Sequence, residues 1–122
     1  MDPAIRPEHH ALVASDRVSG TDVFARDGSK IGAIERFFIE KQSGRVVYAL
    51  MSFGGFLGIG EDYYPIPWRK LDYDTSLGGY RVDISEADLK NAPKWIDGQP
   101  VEDRAWGEQV HGYYGVPPYW IP

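Results

Sequence analysis

The chain has 122 residues, of which 43% are hydrophobic and 14% aromatic, and its formal net charge is -5 at pH 7. A chain of this length can form one domain with a modest tail, and the hydrophobic content excludes disorder throughout. It has no cysteine, which excludes disulfides, thiolate nucleophiles and cysteine-ligated zinc or iron–sulfur sites. The acidic balance argues against nucleic-acid binding, which needs clustered lysine and arginine.

Residues 1–11 contain prolines and charges without hydrophobic periodicity, and we predict a flexible N-terminal arm there. The arm lacks the apolar stretch of a signal peptide, and no segment has the about 18 apolar residues that a membrane helix needs. We therefore expect a cytoplasmic protein without direct membrane insertion. His9 and His10 lie in the arm, and His111 lies near the C-terminus. We expect all three to be solvated, because adjacent histidines rarely converge on one zinc ion.

Turn signals divide the next part of the chain into short segments rich in β-branched and aromatic residues. The signals are RDGS at 26–29, KQSG at 41–44 and DTSLGG at 74–79. The segments between them predict strands at 21–25, 30–40, 45–53, 63–68, 71–73 and 80–84. Short strands at this spacing are typical of a mainly β fold, either a small antiparallel barrel or a sandwich. We interpret Asp72 and Asp74 as turn residues, because a calcium loop needs a longer acidic pattern.

Two of these segments also indicate their positions in the sheet. Segment 45–53 is apolar on both faces, so we predict a central strand that is covered on both sides. Segment 63–68 contains Pro65 and Pro67, which cannot donate ladder hydrogen bonds, so we place it at an edge. We assign Trp68 to the hydrophobic core, and its replacement by alanine should lower the melting temperature sharply.

The glycine-rich stretch SFGGFLGIGEDYYPIPW at 52–68 could be a phosphate-binding loop or a structural hairpin. Its glycines follow the order G-x-x-G-x-G, prolines prevent a following helix, and the two carboxylates after the last glycine would repel phosphate. We therefore predict a hairpin connection whose glycines serve the backbone. Its apolar residues Phe56, Leu57 and Ile59 either fold over the barrel mouth or dock a partner.

A short helix is predicted after the last strand. Ser85 is a good N-cap, Leu89 should point inward, and Pro93 should end the helix. Residues 96–122 then form a polar and aromatic tail. This tail cannot build a core of its own, so its rings should bury against the barrel, another subunit or a partner.

Part of the tail is predicted to be helical. Trp106, Val110 and Tyr113 follow one another at spacings of four and three residues, which predicts a helix over 101–111 with these side chains on one face. Gly115 would end such a helix.

Three motifs together make the sequence recognisable. The first is G-x-x-V-x-x-x-D-G-x-x-I-G, formed by Gly20, Val23, Asp27, Gly28, Ile31 and Gly32; the second is SGRVVYALMSFGG at 43–55; the third is YPIPW at 64–68. In this combination the sequence resembles the PRC-barrel family, the small β-barrels found in the cytoplasmic part of the photosynthetic reaction-centre H subunit and in the C-terminal domain of the ribosome-maturation factor RimM. The resemblance extends over residues 12–95, and the tail at 96–122 is similar to the C-terminus of stand-alone bacterial members.

The resemblance implies a barrel that mediates assembly, and it does not imply catalysis. We expect no metal or other cofactor. Our main hypothesis is a non-enzymatic adaptor that forms a homodimer and binds an unidentified protein partner. Its expected contact residues are Phe56, Leu57, Ile59, Tyr63, Trp106, Tyr113, Tyr114, Tyr119 and Trp120. Replacing Phe56 and Leu57 together by aspartate should then disrupt the dimer.

Other functions remain open at the level of sequence. One is a ribosome- or RNA-associated maturation factor like RimM, which the acidic charge disfavours. Another is an electron-transport assembly role like that of the reaction-centre H subunit. A third is a small-ligand-binding protein or enzyme, although no serine lies in a G-x-S-x-G context and no catalytic base is evident.

Overall fold

The computed structural model describes residues 12–53, 62–96, 98 and 100–121. The strands are β1 (Asp22–Phe24), β2 (Lys30–Ile39), β3 (Val46–Phe53), β4 (Asp62–Pro67), β5 (Leu71–Asp74) and β6 (Gly79–Val82). The helices are α1 (Ser15–Val18), α2 (Glu86–Lys90) and α3 (Arg104–Tyr114), with a 3₁₀ turn at Trp68–Lys70. The strands form one curled sheet in the order β4-β3-β2-β1-β6-β5. The predicted mainly β fold is confirmed, and each predicted strand matches an observed one within two residues at either end.

The sheet is not antiparallel throughout. Strands β1 and β6 run parallel, with Val23 opposite Tyr80 and Phe24 opposite Arg81, whereas the other four strand pairs are antiparallel as predicted. The β5–β6 hairpin thus returns beside the first strand instead of extending the sheet beyond β4. This return buries Val23 and Val82 completely in one core.

The central and edge positions agree with the sequence prediction. Strand β3 pairs with β2 on one side and β4 on the other, and its five residues 47–51 are all buried. Because successive side chains of a strand point to opposite faces, both faces of β3 must be covered. Strand β4 lies at the edge, where Pro65 and Pro67 need no outer ladder partner. The segment after α2 crosses this edge, and the backbone N–H of Trp95 donates to the carbonyl of Tyr63 at 2.8 Å.

Two acidic residues close the predicted turns. Asp27 accepts hydrogen bonds from the backbone N–H of Ser29 at 2.9 Å and from its hydroxyl at 2.6 Å. Asp74 makes the same pair of contacts with Ser76, at 2.9 and 2.6 Å. The hydrogen bond from the serine hydroxyl is the main reason why the pKa of each carboxyl lies below its ordinary value. Gly28 adopts a φ of 89°, which only glycine tolerates easily.

Side-chain caps mark the starts of helices α2 and α3. The Ser85 hydroxyl accepts from the N–H of Asp88 at 3.1 Å, and Leu89 is fully buried, as predicted for α2. Helix α3 begins at Arg104, three residues later than predicted, because the carboxylate of Asp103 caps it by accepting from Ala105 N–H at 3.0 Å. Helix α1 was not predicted. Within the described ranges, no helix combines the length and apolar content required to cross a bilayer.

Candidate functional site: the C-terminal aromatic cluster and the aromatic row

The C-terminal segment packs against strand β3, around the ring of Tyr48. This ring is 1% exposed, and its centroid lies 5.6 Å from Trp106, 5.2 Å from His111 and 5.7 Å from Tyr119. Trp120 completes the group by contacting His111 at 5.9 Å and Tyr119 at 5.1 Å between ring centroids. We call these five residues the Tyr48 cluster. Burial raises the pKa of the Tyr48 hydroxyl far above its ordinary value.

Two arginines hold the last described residues against the barrel. Arg45, just before β3, donates from Nη2 to the carbonyl of Tyr119. Arg69, in the 3₁₀ turn, donates from Nη2 to the carbonyl of Ile121 at 3.0 Å. The guanidinium of Arg104 lies 5.2 Å from the ring centroid of Trp120, within the range of a cation–π contact. The tail therefore packs on its own barrel, which the sequence had left open.

Of the three residues predicted to share one face of this helix, only Val110 is among the buried residues of α3. These buried residues are Gly107, Val110, His111 and Tyr114. Tyr113, which was predicted to share a face with Trp106 and Val110, is 42% exposed and donates its hydroxyl to the carbonyl of Asp88 in α2. Tyr114 is 2% exposed within its own chain, so it is a core residue and not available to a partner in this structure. Positions three and four residues after Val110 both lie on its side of the helix; Tyr114 is buried there, whereas the hydroxyl of Tyr113 reaches α2.

His111 was expected to be solvated, and that prediction is wrong. The side chain is 1% exposed, and Nδ1 lies 2.7 Å from the carbonyl of Gly107. Since a carbonyl can only accept, Nδ1 must carry the proton in the neutral ring, and Nε2 carries the lone pair. Burial lowers the pKa of His111, and the charge of Arg69 acts in the same direction. The sequence alone gives no signal that His111 is buried, because its packing partner Tyr48 is 63 positions away in the chain.

The other predicted contact residues fall into three groups. Phe56, Leu57 and Ile59 lie outside the described residues. Tyr63 is half-buried on β4, and its carbonyl is occupied by Trp95. Trp106, Tyr119 and Trp120 are half-buried in the Tyr48 cluster, and Tyr113 keeps an exposed ring face.

A second group of rings, which the sequence analysis did not identify as a site, crosses the sheet near the 3₁₀ turn. Trp68 lies 6.4 Å from Phe37 and 5.3 Å from Tyr80, and Tyr80 lies 5.2 Å from Tyr73, between ring centroids. We call these four residues the aromatic row. Three of them are half-buried, and Tyr73 at the end is 57% exposed.

The aromatic row is an extension of the core. Tyr73 is two residues from Leu71, and Tyr80 is two residues from Val82; both aliphatic residues are buried. Since residues two apart in a strand share a face, the row lies on the core-facing side of the sheet where that side opens to solvent. Trp68 is therefore partly rather than fully buried, which qualifies its assignment to the core. The alternation of buried and exposed side chains in β5 and β6 could be read from the sequence. The meeting of β2, the 3₁₀ turn, β5 and β6 at these four rings could not.

Most basic side chains of the described residues have a close partner. Ion pairs join Arg26 to Asp83 at 2.9 Å, Lys30 to Asp22 at 3.1 Å, Arg81 to Asp74 at 3.3 Å and Lys94 to Asp62 at 3.1 Å. The guanidinium of Arg36 lies over the ring of Trp95. Arg45 and Arg69 differ, because their partners are neutral carbonyls. In the same parts of the chain, no group of three or more histidine, aspartate or glutamate side chains is placed to hold a metal ion.

Comparison with known proteins adds a family and a distant structural likeness. The family model of the PRC-barrel domain matches residues 12–89. No curated protein matches the chain. Among solved structures, a RimM protein of Pseudomonas aeruginosa, described as a 16S ribosomal RNA processing protein, is 17% identical with a TM-score of 0.38. The match covers 68% of this chain and 50% of that protein, so the chain spans about half its length.

Proposed function

The chain belongs to the PRC-barrel family, and on this basis we propose that it is a non-enzymatic adaptor that forms a homodimer and binds a further protein. The observation that supports this proposal is the aromatic row, above all the 57% exposed ring of Tyr73 at its end. Aromatic side chains supply large contact areas and are enriched among the residues that dominate binding energy. We therefore place the contact surface on the aromatic row and not on the C-terminal rings that were expected from the sequence.

The row is held in place before any partner arrives. The ring of Tyr73 packs edge-on against Tyr80, which packs against Trp68, and Trp68 reaches Phe37. Ordering a side chain on binding costs free energy, and a ring fixed by its neighbours has already lost most of that freedom. The exposed face of Tyr73 is thus suited to contact another apolar surface.

A second copy of the chain is the partner that we propose for this surface. Aromatic rings prefer edge-to-face and offset arrangements, which two identical rows related by a two-fold axis can supply to each other. Strand β5 pairs only with β6 among the described residues, but it carries Asp72 and Asp74. Charged residues at a sheet edge discourage strand addition, so we expect ring contacts rather than a continuous sheet across the dimer.

The dimer is tested by sedimentation equilibrium of the full chain and two single variants. Tyr73→Ser removes the exposed ring, and we expect the dimer dissociation constant to rise about tenfold or more, as for a central aromatic contact. Ile39→Ser is the matched control, because Ile39 is 49% exposed at the end of β2 and is not part of the row. A wild-type chain that stays monomeric at about 100 μM would refute the homodimer, and so would equal effects of the two variants.

The adaptor function is tested by capture of tagged full-length protein from its native cells, with and without nuclease. We expect nuclease-resistant protein partners that bind the dimer, so that they are retained by Ile39→Ser and lost by Tyr73→Ser, which disrupts the dimer. Ribosomal RNA or ribosomal proteins that remain bound to both variants would instead support the RimM-like alternative. Association that weakens steeply with salt would point to phosphate contacts.

A further inference from the structure

A cavity of about 320 Å³ lies between the start of β3, the 3₁₀ turn and the C-terminal segment. Its lining combines two guanidiniums with apolar and aromatic walls: Arg45, Arg69, Val47, Trp68, His111 and Tyr119. This volume is at the lower end of the range typical of small-molecule sites. The cavity is separate from the exposed end of the aromatic row, because Tyr73 and Tyr80 do not line it.

The charges around this cavity are not balanced. Arg45 and Arg69 both line it, and no carboxylate does. Neither arginine forms an ion pair within the described parts of the chain. Arg45 donates to the carbonyl of Tyr119, and Arg69 donates to three carbonyls of the tail, those of Pro117, Pro118 and Ile121. A guanidinium has five N–H donors in a planar fork, so donors remain after these contacts. Two positive charges that line one cavity and keep spare donors favour an anion there.

His111 provides a buried polar group at the same cavity. Its Nδ1–H is donated to Gly107, so Nε2 is the nitrogen left for a ligand. The side chain is almost completely buried, which fixes the ring in place. An anion next to this ring would stabilise its protonated form, so His111 can report on binding.

The apolar lining restricts the class of anion. Val47 and the rings of Trp68 and Tyr119 would contact the body of the ligand rather than its charge. A phosphate dianion would lose more hydration than a carboxylate on entering such walls, without gaining apolar contact. From this combination we propose that the cavity binds a small aromatic carboxylate, with its carboxylate between Arg45 and Arg69 and its ring against the apolar walls.

The test is an NMR titration of the wild-type full chain labelled at histidine. The probes are sodium benzoate, its neutral isostere benzamide, and inorganic phosphate. A His9→Gln, His10→Gln double variant assigns the signal of His111. We expect benzoate to shift this signal saturably with a Kd of about 1 mM or lower, as for a ligand of this size, and to raise the pKa of His111. No shift, an equal response to benzamide, or tighter binding of phosphate would each overturn the proposal.

A pair of neighbouring variants tests the role of the arginines. Arg69→Gln should raise the Kd of benzoate about tenfold, because one charged contact is lost. Lys70→Gln is the control: Lys70 is next to Arg69 in the chain but does not line the cavity. We expect its loss of a positive charge to leave the Kd of benzoate unchanged. Equal weakening in both would indicate a general charge effect and overturn the proposal. If Arg69→Gln releases the tail from the barrel, Arg45→Gln is used as the test variant instead. The comparison of benzoate with benzamide on the wild-type chain tests the need for a carboxylate without any substitution.

Discussion

His111 is a titratable side chain enclosed by rings. Its neighbours Tyr48, Tyr119 and Trp120 leave it 1% exposed, and the carbonyl of Gly107 fixes its tautomer. Two charged groups line the same cavity as His111: Arg69, whose charge lowers the pKa of the histidine, and Arg45. Protonation would therefore add a further positive charge in a poorly solvated position, which links the stability of the tail packing to pH.

This link predicts a pH dependence with a definite sign. Burial lowers the pKa of His111 below its ordinary value of 6.5, so between the two values the unfolded chain binds more protons than the folded chain. The free energy of unfolding should therefore be highest above about pH 7 and fall as the pH drops below 6.5, by at most about 1.4 kcal/mol per pH unit. Urea denaturation of the His9→Gln, His10→Gln variant between pH 5 and 7.5 measures the slope.

The control for this measurement is His111→Gln in the same background, which should flatten the slope. The carboxyls of Asp27, Asp74 and Asp83 also have lowered pKa values, through hydrogen bonds from Ser29, Ser76 and Arg26. Their contribution to the free energy of unfolding is present above the ordinary carboxyl pKa of 3.8 and is lost only below it. It therefore does not change between pH 5 and 7.5, where His111 is measured. An unchanged slope in His111→Gln would contradict the assignment.

At the scale of one element, α3 carries two glycines in different surroundings. A Cβ added at Gly107 would lie 2.9 Å from the ring of Trp120 and 3.1 Å from the hydroxyl of Tyr48. A Cβ at Gly112 would meet nothing within 4 Å. Gly107 is thus the position where the tail and β3 approach the helix backbone, whereas Gly112 only weakens the helix.

The two glycines give a matched pair of substitutions. Gly112→Ala should raise the free energy of unfolding by about 0.5–1 kcal/mol, the usual gain of alanine over glycine in a helix. Gly107→Ala has the same intrinsic gain but must displace Trp120, and overpacking of this kind costs about 1–3 kcal/mol. We expect it to be less stable than Gly112→Ala by at least about 1 kcal/mol in urea denaturation. Equal stabilities would show that Trp120 does not pack on Gly107.

At the scale of the whole molecule, the aromatic row joins the two ends of the sheet. Strands β4 and β5 are the outermost strands, and the 3₁₀ turn that connects them carries Trp68. From this connection the indole reaches Phe37 on β2 and Tyr80 on β6. Trp68 thus links parts of the sheet that share no ladder hydrogen bonds.

Truncation of this link should destabilise the whole fold. Burial of a tryptophan contributes several kcal/mol, and for a half-buried ring we expect Trp68→Ala to cost about 2 kcal/mol, which lowers the melting temperature by roughly 10 °C. Tyr73→Ala is the control, because it removes a ring at the exposed end of the same row. Calorimetry of both at low concentration, where no dimer forms, should show a much smaller shift for Tyr73→Ala. Similar shifts would refute the linking role.

The sequence predicted well those features that depend on neighbouring residues. The six strands follow from local alternation and turn residues, the edge position of β4 from Pro65 and Pro67, and the start of α2 from Ser85. It predicted the candidate site poorly. His111 was expected in solvent but is buried, Tyr113 was expected on the same face as the buried Val110 but is exposed, and the aromatic row was not recognised as a group.

The sequence was therefore sufficient for the mainly β fold, the positions of its strands and the motifs of the PRC-barrel family. These features depend on backbone preferences and hydrophobic patterning, which act over a few residues. The tertiary structure decided the rest: the parallel return of β6 beside β1, the docking of the tail on its own barrel, and the burial of His111. Each of these depends on contacts between segments far apart in the chain. Many surfaces can bury an aromatic ring, and only the folded barrel shows that Tyr48 is the one that the tail covers.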